Sequence, residues 1–337
     1  MVDMHEPLMF LHNLDTTIKE PFASNPAVLD AVEKNHKKLQ IAMTKLYPGN
    51  LVLSLSSGIM YHRLVDRITA LNDVPREPLV PRRLGKNMCV PFGKILRGKV
   101  VPNTVTKTLH TDKVYEPDLN SFTIEPFPYY SPLKSQIETI KSFDRPVILV
   151  DDLVHTANRL QVLVPQLRED GIPIKKVVVG VLSGYGRDLM QCLKVPVESI
   201  YSMPNLRQWF VESTLYPFIG GDTVRREEMK VAGLQPSINM ILPYATPRLS
   251  GCSREALVEF SACCIENSRD LFQVLEAEYR KMYAKNLTLS RLSEAVILPL
   301  CPDKGSCMEY DENLAASVYL ENDLETLWRM KEFLIKG

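Results

Sequence analysis

The sequence contains no apolar run long enough to cross a bilayer, and its start, MVDMHEPLMF, lacks the basic region and long apolar core of a signal peptide. It also lacks an excess of either charge, because 40 Lys and Arg residues balance 40 Asp and Glu residues. No global field therefore favours a nucleic acid or an anionic membrane as partner. We expect a cytoplasmic protein that binds neither.

Neither a disulfide framework nor a zinc motif is present among the seven cysteines. Their number is odd, and they are scattered at positions 89, 192, 252, 263, 264, 301 and 307. The adjacent pair at 263–264 and the spacing of Cys301 and Cys307 match no common metal-binding pattern. We predict free thiols in a reducing compartment, and no metal ligands from protein side chains.

The chain has 337 residues, 45% of them apolar, which is enough for one large domain or two ordinary ones. We divide it into an N-terminal helical lead (1–46), an α/β domain (47–222) and a mostly helical C-terminal region (223–337). Asn25 followed by Pro26 indicates a helix start. Ser253 can cap a long helix, and two more helices are predicted over 289–298 and 320–334.

Strand–turn–helix patterns define the fold class of the middle region. A strand over 51–55, the turn Ser56-Ser57-Gly58 and a helix over 59–71 come first. A strand over 147–150 and the apolar run VVVGVL at 177–182 follow, each leading into a turn and a helix, with a last short strand over 195–201. This order predicts an α/β protein with a parallel sheet and helices on both of its faces.

Residues 72–132 interrupt the pattern with many prolines and little periodicity. Within 82–113 there is a single acid, Asp112, and there are eight basic residues: Arg82, Arg83, Lys86, Lys94, Arg97, Lys99, Lys107 and Lys113. So long a non-periodic stretch inside a domain is typical of a functional loop or lid. A solvated surface excursion is the alternative.

Two adjacent carboxylates, Asp151 and Asp152, follow the buried-type strand in the stretch PVILVDDLVHTANRL (146–160). Ligands of open parallel sheets bind beyond the carboxyl ends of the strands. Vicinal carboxylates raise each other's pKa, so they make sense if they accept hydrogen bonds from a polyol or stand beside a cation. The helix that begins after them offers free N–H groups to an anion such as phosphate. Together these features predict a site for ribose 5-phosphate.

This stretch resembles the phosphoribosyl-pyrophosphate (PRPP) signature of type I phosphoribosyltransferases: an apolar strand, two acids and a threonine- and glycine-containing loop. The resemblance implies a phosphoribosyltransferase-like core in which Asp151 and Asp152 hold the ribose hydroxyls. It places the phosphate on the loop residues His155, Thr156, Ala157, Asn158 and Arg159. Thr156 matches a signature threonine, whereas His155 and Arg159 replace threonines and Ala157 replaces the glycine. Alanine disfavours a left-handed backbone, so we expect a different phosphate site in which His155 and Arg159 supply positive charge.

Further parts of residues 47–222 resemble the same family. The turn Ser56-Ser57-Gly58 occupies the place of the family's pyrophosphate loop. TKTLHTDK (106–113) is similar to the stretch by which many members bind pyrophosphate, which implies that role for Lys107, His110 and Lys113. Trp209 or Phe210, after the last strand, would stack on the base.

The resemblance also implies a mechanism and a cofactor. Pyrophosphate would leave C1 of the ribose through an oxocarbenium-like state while a base nitrogen attacks. The protein would supply positioning, charge neutralisation and exclusion of water. Mg²⁺ is expected, held mainly by substrate and water.

Three hypotheses remain open on the sequence. The first is a phosphoribosyltransferase acting on a base or small acceptor. The second is a non-catalytic regulatory domain of the same fold that binds a nucleotide or phosphorylated sugar, which the altered loop favours. The third is a nucleotidyltransferase-related α/β protein, although no His-x-Gly-His motif is present. The acid pair could also be a structural complement to the helix dipole, and the C-terminal helices could pack on the core or form a homodimer contact.

Overall fold

A computed structural model describes residues 6–81, 83–96, 98–226, 231, 233–247, 249, 251–304 and 309–336, with side chains up to residue 332. Arg82, Arg97 and Cys307 lie outside the described residues. The strands are β1 (Leu8–His12), β2 (Val52–Ser56), β3 (Met88–Pro91), β4 (Val105–Thr106), β5 (Thr111–Tyr115), β6 (Phe122–Pro126), β7 (Val147–Val154), β8 (Ile174–Ser183), β9 (Val197–Met203), β10 (Gln208–Val211), β11 (Asp222–Val224), β12 (Gln235–Ile238) and β13 (Leu300–Pro302).

The α-helices are α1 (Pro26–Leu46), α2 (Ser57–Leu71), α3 (Leu133–Lys141), α4 (Asn158–Glu169), α5 (Gly184–Cys192), α6 (Glu212–Leu215), α7 (Arg254–Tyr283) and α8 (Ala316–Lys336). Short 3-10 helices cover Leu14–Thr16 and Leu289–Glu294. None of the helices built from described residues is long and apolar enough to span a membrane.

The chain folds into two compact units, each with its own hydrophobic core. The first unit contains residues 1–54, 114–121 and 208–337, and the second contains 55–113 and 122–207. Residues 1–46 and 223–337, which the sequence analysis assigned to separate segments, therefore contribute to one core. The N-terminal lead also contains a strand, β1, besides the predicted helix.

Helices and short strands build the first unit. α1 packs on α7, and α7 packs on α8, so the predicted helical C-terminal region is confirmed. The caps follow the sequence: the Asn25 side chain accepts hydrogen bonds from the first turn of α1, and Ser253 accepts one from Ala256 N in α7. The predicted helix over 289–298 is a 3-10 helix that ends at Glu294. β1 lies parallel to β10 in a small sheet completed by β2.

A five-stranded parallel sheet forms the centre of the second unit, in the order β4-β3-β7-β8-β9. Apolar side chains of α3, α4 and α5 share one core cluster with the sheet. On the other face α2 packs on β8 and β9, and a Cβ at Gly180 of β8 would lie only 2.2 Å from the Met60 sulfur of α2. The predicted parallel sheet with helices on both faces is confirmed.

The segment 72–132 is not one long surface loop. It supplies β3, whose four residues are buried between β4 and β7. A four-residue strand ending in proline shows too little alternation to be recognised by periodicity. The exposed lysines Lys86, Lys94, Lys99 and Lys107 lie in the connections around β3 and β4, where the sheet leaves them in solvent.

Substituting two glycines, each near the start of a helix, tests the packing of this unit. A Cβ on Gly186, the third residue of α5, would lie 2.2 Å from the carbonyl oxygen of Val154, whereas one on Gly58 of α2 would be 3.6 Å from its nearest neighbour. We expect Gly186→Ala to lower the free energy of unfolding by ~1–3 kcal/mol, because backbone must move. Gly58→Ala should leave it unchanged or raise it by up to ~1 kcal/mol. Urea unfolding measures both, and equal losses would contradict the packing.

Candidate functional site

The acid pair lies inside β7 rather than after it. β7 continues to Val154, and Asp151 pairs with Val179 of β8 in the parallel register. Asp151 is 4% exposed, and Asp152 is half-buried. The sheet therefore fixes the backbone of both residues near the carboxyl end of its middle strand, the edge at which ligands of parallel sheets bind.

The turn after β3 lies directly against the Asp151 carboxylate. Phe92 N donates a hydrogen bond to Val150 O (3.1 Å), which continues the β3–β7 pairing by one step. A Cβ on Gly93 would lie 1.5 Å from Asp151 Oδ1, so only glycine fits here without displacing the carboxylate. Gly93 was not predicted from the sequence, and the exposed Lys94 beside it was recognised only as one of the basic residues of 82–113. The signal was the apolar run MCVP followed by Phe-Gly-Lys, a strand-to-turn pattern like that at the acid pair.

Burial governs the electrostatics of Asp151. Desolvation raises the pKa of its carboxyl well above the ordinary value, and the neighbouring charge of Asp152 raises it further. The Arg159 guanidinium acts in the opposite direction, with Nη1 3.9 Å from Asp151 Oδ2. That distance is too long for a hydrogen bond, so Arg159 acts through its charge. Its Nε is buried and has no hydrogen-bond partner.

The loop that joins β7 to α4 adopts the backbone conformation that the sequence argued against. Ala157 has φ 51° and ψ 21°, a left-handed conformation, and it stands at the N-cap of α4. Alanine disfavours this conformation, yet it is adopted here, where the strand before it and the helix after it constrain the turn. No side chain caps α4, so its first N–H groups are open to an anion.

Hydrogen bonds connect the loop to the first turn of α4. Asn158 Nδ2 donates to Thr156 Oγ1 (2.9 Å), and Gln161 Nε2 donates to Thr156 O (3.2 Å). An open surface groove of about 550 Å³ lies beside them. It is lined by Phe122, Thr123, Ile124, Asn158, Gln161 and Val162.

His155 is tied to the neighbouring strand-to-helix turn. Its Nδ1 is 2.8 Å from Ser183 Oγ, which also accepts a hydrogen bond from Gly186 N and thereby caps α5. Burial lowers the pKa of His155, which favours the neutral imidazole. The lowered pKa therefore disfavours the expected positive charge on His155. Arg159 is then the predicted loop residue that carries a positive charge.

The turn Ser56-Ser57-Gly58 follows a strand of a different sheet, because β2 belongs with β1 and β10. Yet α2 brings its N-terminus to the carboxyl edge of the central sheet. Met60 faces Gly180 of β8, and further along α2 Arg67 forms an ion pair with Glu198, near the start of β9. α2 thus runs antiparallel to these strands. Ser57 is buried there, and its hydroxyl has no hydrogen-bond partner.

The three residues predicted to hold pyrophosphate do not lie together. Lys107 lies at the edge of the central sheet, whereas His110 and Lys113 lie just before and within β5. Lys107 N donates to Cys89 O, and Lys107 is exposed just beyond β4. His110 stacks on Tyr130 with ring centroids 3.7 Å apart. Lys113 lies on β5, with its ammonium 4.3 Å from the Phe122 ring centroid.

Trp209 and Phe210 lie on β10, in the first unit. Phe210 is 7% exposed and packs edge-on against Phe260 in the core, which leaves no open face for a base. Trp209 is half-buried opposite Met9 of β1.

Comparisons with known proteins add little to the geometry. No model of a known protein family matches the chain, and no curated protein matches its sequence. Among solved structures, the purine phosphoribosyltransferase from Pyrococcus horikoshii Ot3 is similar with a TM-score of 0.25 and 11% identity. The alignment covers 52% of this chain and 90% of that one. The α/β fold is therefore established by the strand order of this chain, and its function has to be argued from the site.

The raised pKa of Asp151 makes the stability of the folded protein depend on pH. This raised pKa means that the folded state binds a proton more tightly than the unfolded chain, so stability falls as pH rises above the ordinary aspartate pKa of about 4. Asp151→Asn, which cannot ionise, should melt at a higher temperature than the natural protein at about pH 7, with the difference shrinking towards about pH 4. The exposed Asp144→Asn is the control. Destabilisation by Asp151→Asn at both pH values would contradict the assignment.

The left-handed conformation of Ala157 predicts that glycine at this position stabilises the folded protein. A left-handed alanine is strained by ~1–2 kcal/mol, so Ala157→Gly should raise the free energy of unfolding by up to ~1 kcal/mol after the greater freedom of unfolded glycine is subtracted. Ala42→Gly, in the middle of α1, should instead lower it by ~1 kcal/mol. Chemical denaturation measures the two, and losses at both positions would rule out strain at Ala157.

Proposed function

We propose that the second unit binds a ligand containing ribose 5-phosphate, either PRPP or a nucleotide, at the carboxyl end of β7. The observation that carries this proposal is the joining of Asp151 and Asp152 to the uncapped start of α4 through a left-handed turn. Carboxylates accept hydrogen bonds from ribose hydroxyls, and free helix N–H groups bind phosphate.

Asp152 is the carboxylate we assign to direct contact with the ribose, because it is half-buried whereas Asp151 is covered by Gly93. Asp151 would assist by its hydrogen bond from Asp152 N to Oδ1 (2.8 Å), which fixes the backbone of the pair. The phosphate would lie against the N–H groups of residues 158–160, with the Arg159 guanidinium near it. Thr156 would line this phosphate site.

For PRPP, the structure gives a new candidate for the pyrophosphate contact. Gly93 and Lys94 follow β3, which lies directly beside β7, and Lys107 follows β4 at the same edge. We propose these residues in addition to the predicted turn Ser56-Ser57-Gly58. Mg²⁺, held mainly by the substrate, would neutralise the part of the pyrophosphate charge that the exposed lysines leave uncompensated.

Transfer of the phosphoribosyl group is the reaction that this arrangement would support. The bond between C1 and the pyrophosphate oxygen breaks, its electron pair leaves with pyrophosphate, and a nitrogen of the acceptor bonds to C1. Positive residues around pyrophosphate would stabilise the leaving group, and the acids would hold the ribose in place.

A non-catalytic nucleotide-binding role is the second candidate. It is favoured by the divergent loop and by the burial that lowers the pKa of His155, because both reduce the positive charge available to a transferring phosphoribosyl group. Both candidates require the same ribose-phosphate site, and they differ in whether pyrophosphate is released.

Thermal shift measurements on the full chain test the site. PRPP with Mg²⁺, or a nucleoside monophosphate, should raise the melting temperature, and a ligand at 100 times its Kd stabilises by about 2.7 kcal/mol. Asp152→Asn should abolish most of the shift. Asp170→Asn, the same change at the opposite end of α4, should keep it.

The outcomes separate the two candidates. Release of pyrophosphate from PRPP with a panel of nucleobases would support phosphoribosyl transfer, and binding with no release would support the regulatory role. If neither ligand raises the melting temperature, or if Asp152→Asn shifts as much as the natural protein, the proposal fails.

A further inference from the structure

Three side chains far apart in sequence meet in the first unit: His12, His36 and Glu212. One ring nitrogen from each histidine and one carboxylate oxygen all lie within 4.8 Å of one another. Glu212 Oε2 is 3.2 Å from His12 Nδ1 and 2.7 Å from His36 Nε2. The cluster was not predicted from the sequence, because His12 and Glu212 are 200 positions apart and form no local motif.

The fold builds this cluster at the carboxyl ends of two parallel strands. Leu11 of β1 pairs with Val211 of β10, so the next residues, His12 and Glu212, lie side by side. Asn13 and Ser213 then hold the strand ends together: Asn13 Nδ2 donates to Ser213 Oγ (2.8 Å), and Ser213 N donates to Asn13 Oδ1 (2.9 Å). α1 brings His36 to the same edge.

The buried carboxylate requires a positive charge. The Glu212 side chain is 0% exposed, and among the described residues the cationic groups within ion-pair distance of it are the two imidazoles. An uncompensated buried carboxylate is unfavourable by several kcal/mol or more, so a proton, on the carboxylate or on an imidazole, or a metal ion must balance it.

The geometry of His36 favours a metal ion over a shared proton. Its Nε2 is buried and lies close to Glu212 Oε2, yet it has no aligned hydrogen-bond partner. A proton shared between the two groups would need that alignment. Ligand atoms around a tetrahedral ion at ~2.0–2.1 Å are instead held ~3.3 Å apart, with their lone pairs directed at a common point. The 3.2 Å separation of His12 Nδ1 from the carboxylate oxygen is close to that value, whereas the 2.7 Å separation of His36 Nε2 is shorter, so metal binding would move His36 outwards.

Neighbouring groups orient the ligands. His12 Nε2 is 3.2 Å from Ser54 Oγ, which also accepts a hydrogen bond from Gln40 Nε2 (2.8 Å). Metal binding at Nδ1 requires the tautomer that carries its proton on Nε2, in which Nε2–H donates to this hydroxyl and Gln40 Nε2 donates to the hydroxyl rather than to the ring. The second carboxylate oxygen, Oε1, accepts a hydrogen bond from Tyr216 OH (3.2 Å). Such outer partners are characteristic of histidine and carboxylate metal ligands.

We propose that His12, His36 and Glu212 bind one divalent transition-metal ion. Two imidazole nitrogens and one carboxylate oxygen suit Zn²⁺, Fe²⁺, Mn²⁺ or Co²⁺ rather than Mg²⁺, which prefers oxygen. Three protein ligands leave at least one coordination position for water or a ligand atom. This site is independent of the proposed ribose-phosphate site.

Metal titration of the full chain, first stripped with a chelator, tests the proposal. Calorimetry with Zn²⁺ and visible absorption with Co²⁺ should each show one ion per chain. His36→Gln and His12→Gln should each weaken binding by roughly 100-fold or more, since losing an outer partner alone weakens binding by 10–100-fold. His62→Gln, which changes a histidine of the second unit, should bind as the natural protein does.

Three results would overturn the proposal. The first is the absence of stoichiometric binding. The second is binding that both histidine variants retain at natural affinity. The third is a thiolate charge-transfer band in the Co²⁺ spectrum, which would assign the ion to a cysteine such as Cys263. Circular dichroism of the metal-free variants identifies any that fail to fold, and Gln40→Ala, which leaves all three ligands in place, then supplies the comparison with an expected loss of roughly 10-fold or more.

Discussion

The pairing of β3 with β7 is the contact on which the candidate site depends. It places the turn at Gly93 over the carboxylate of Asp151 and thereby removes that carboxylate from water. Burial raises its pKa, and the neighbouring Asp152 remains the more accessible of the pair. Without β3 in this position both acids would be solvated at an open strand end, and they would differ little from an ordinary acidic helix start.

The loop after the acid pair shows a second departure from local preference. An alanine occupies a left-handed position, and α4, like α2 and α3, begins without a capping side chain, whereas α1, α5 and α7 are capped by Asn25, Ser183 and Ser253. Local rules are most often violated where a protein uses a segment for binding. The buried acid, the left-handed alanine and the uncapped helix start therefore lie within a few residues of one another at one edge of the sheet.

The sequence predicted the elements with strong signals and missed those defined by tertiary pairing. β7, α4, β8 and α5 were recognisable from long apolar runs followed by turns. β1 and β3 have five and four residues, and their identity as strands depends on partners elsewhere in the chain.

The same distinction holds for the sites. Asp151 and Asp152 were found because a charged pair after an apolar run is visible locally. Gly93 was not, because its role follows from lying beside β7. The left-handed conformation of Ala157 was not expected, since residue preference is weaker than the constraint from the flanking strand and helix. His12 and Glu212 could not have been associated before the pairing of β1 with β10 was known.

The order in which the two units use the chain has a consequence for synthesis on the ribosome. The chain passes between the units four times, at residues 54, 113, 121 and 207. β1 is made before its partner β10, which follows almost 200 residues later. During that interval the apolar segment LMFL has an unpaired edge, and such edges promote association between chains. Transient protection of β1 would therefore reduce association of nascent chains, and slow translation would prolong the exposure.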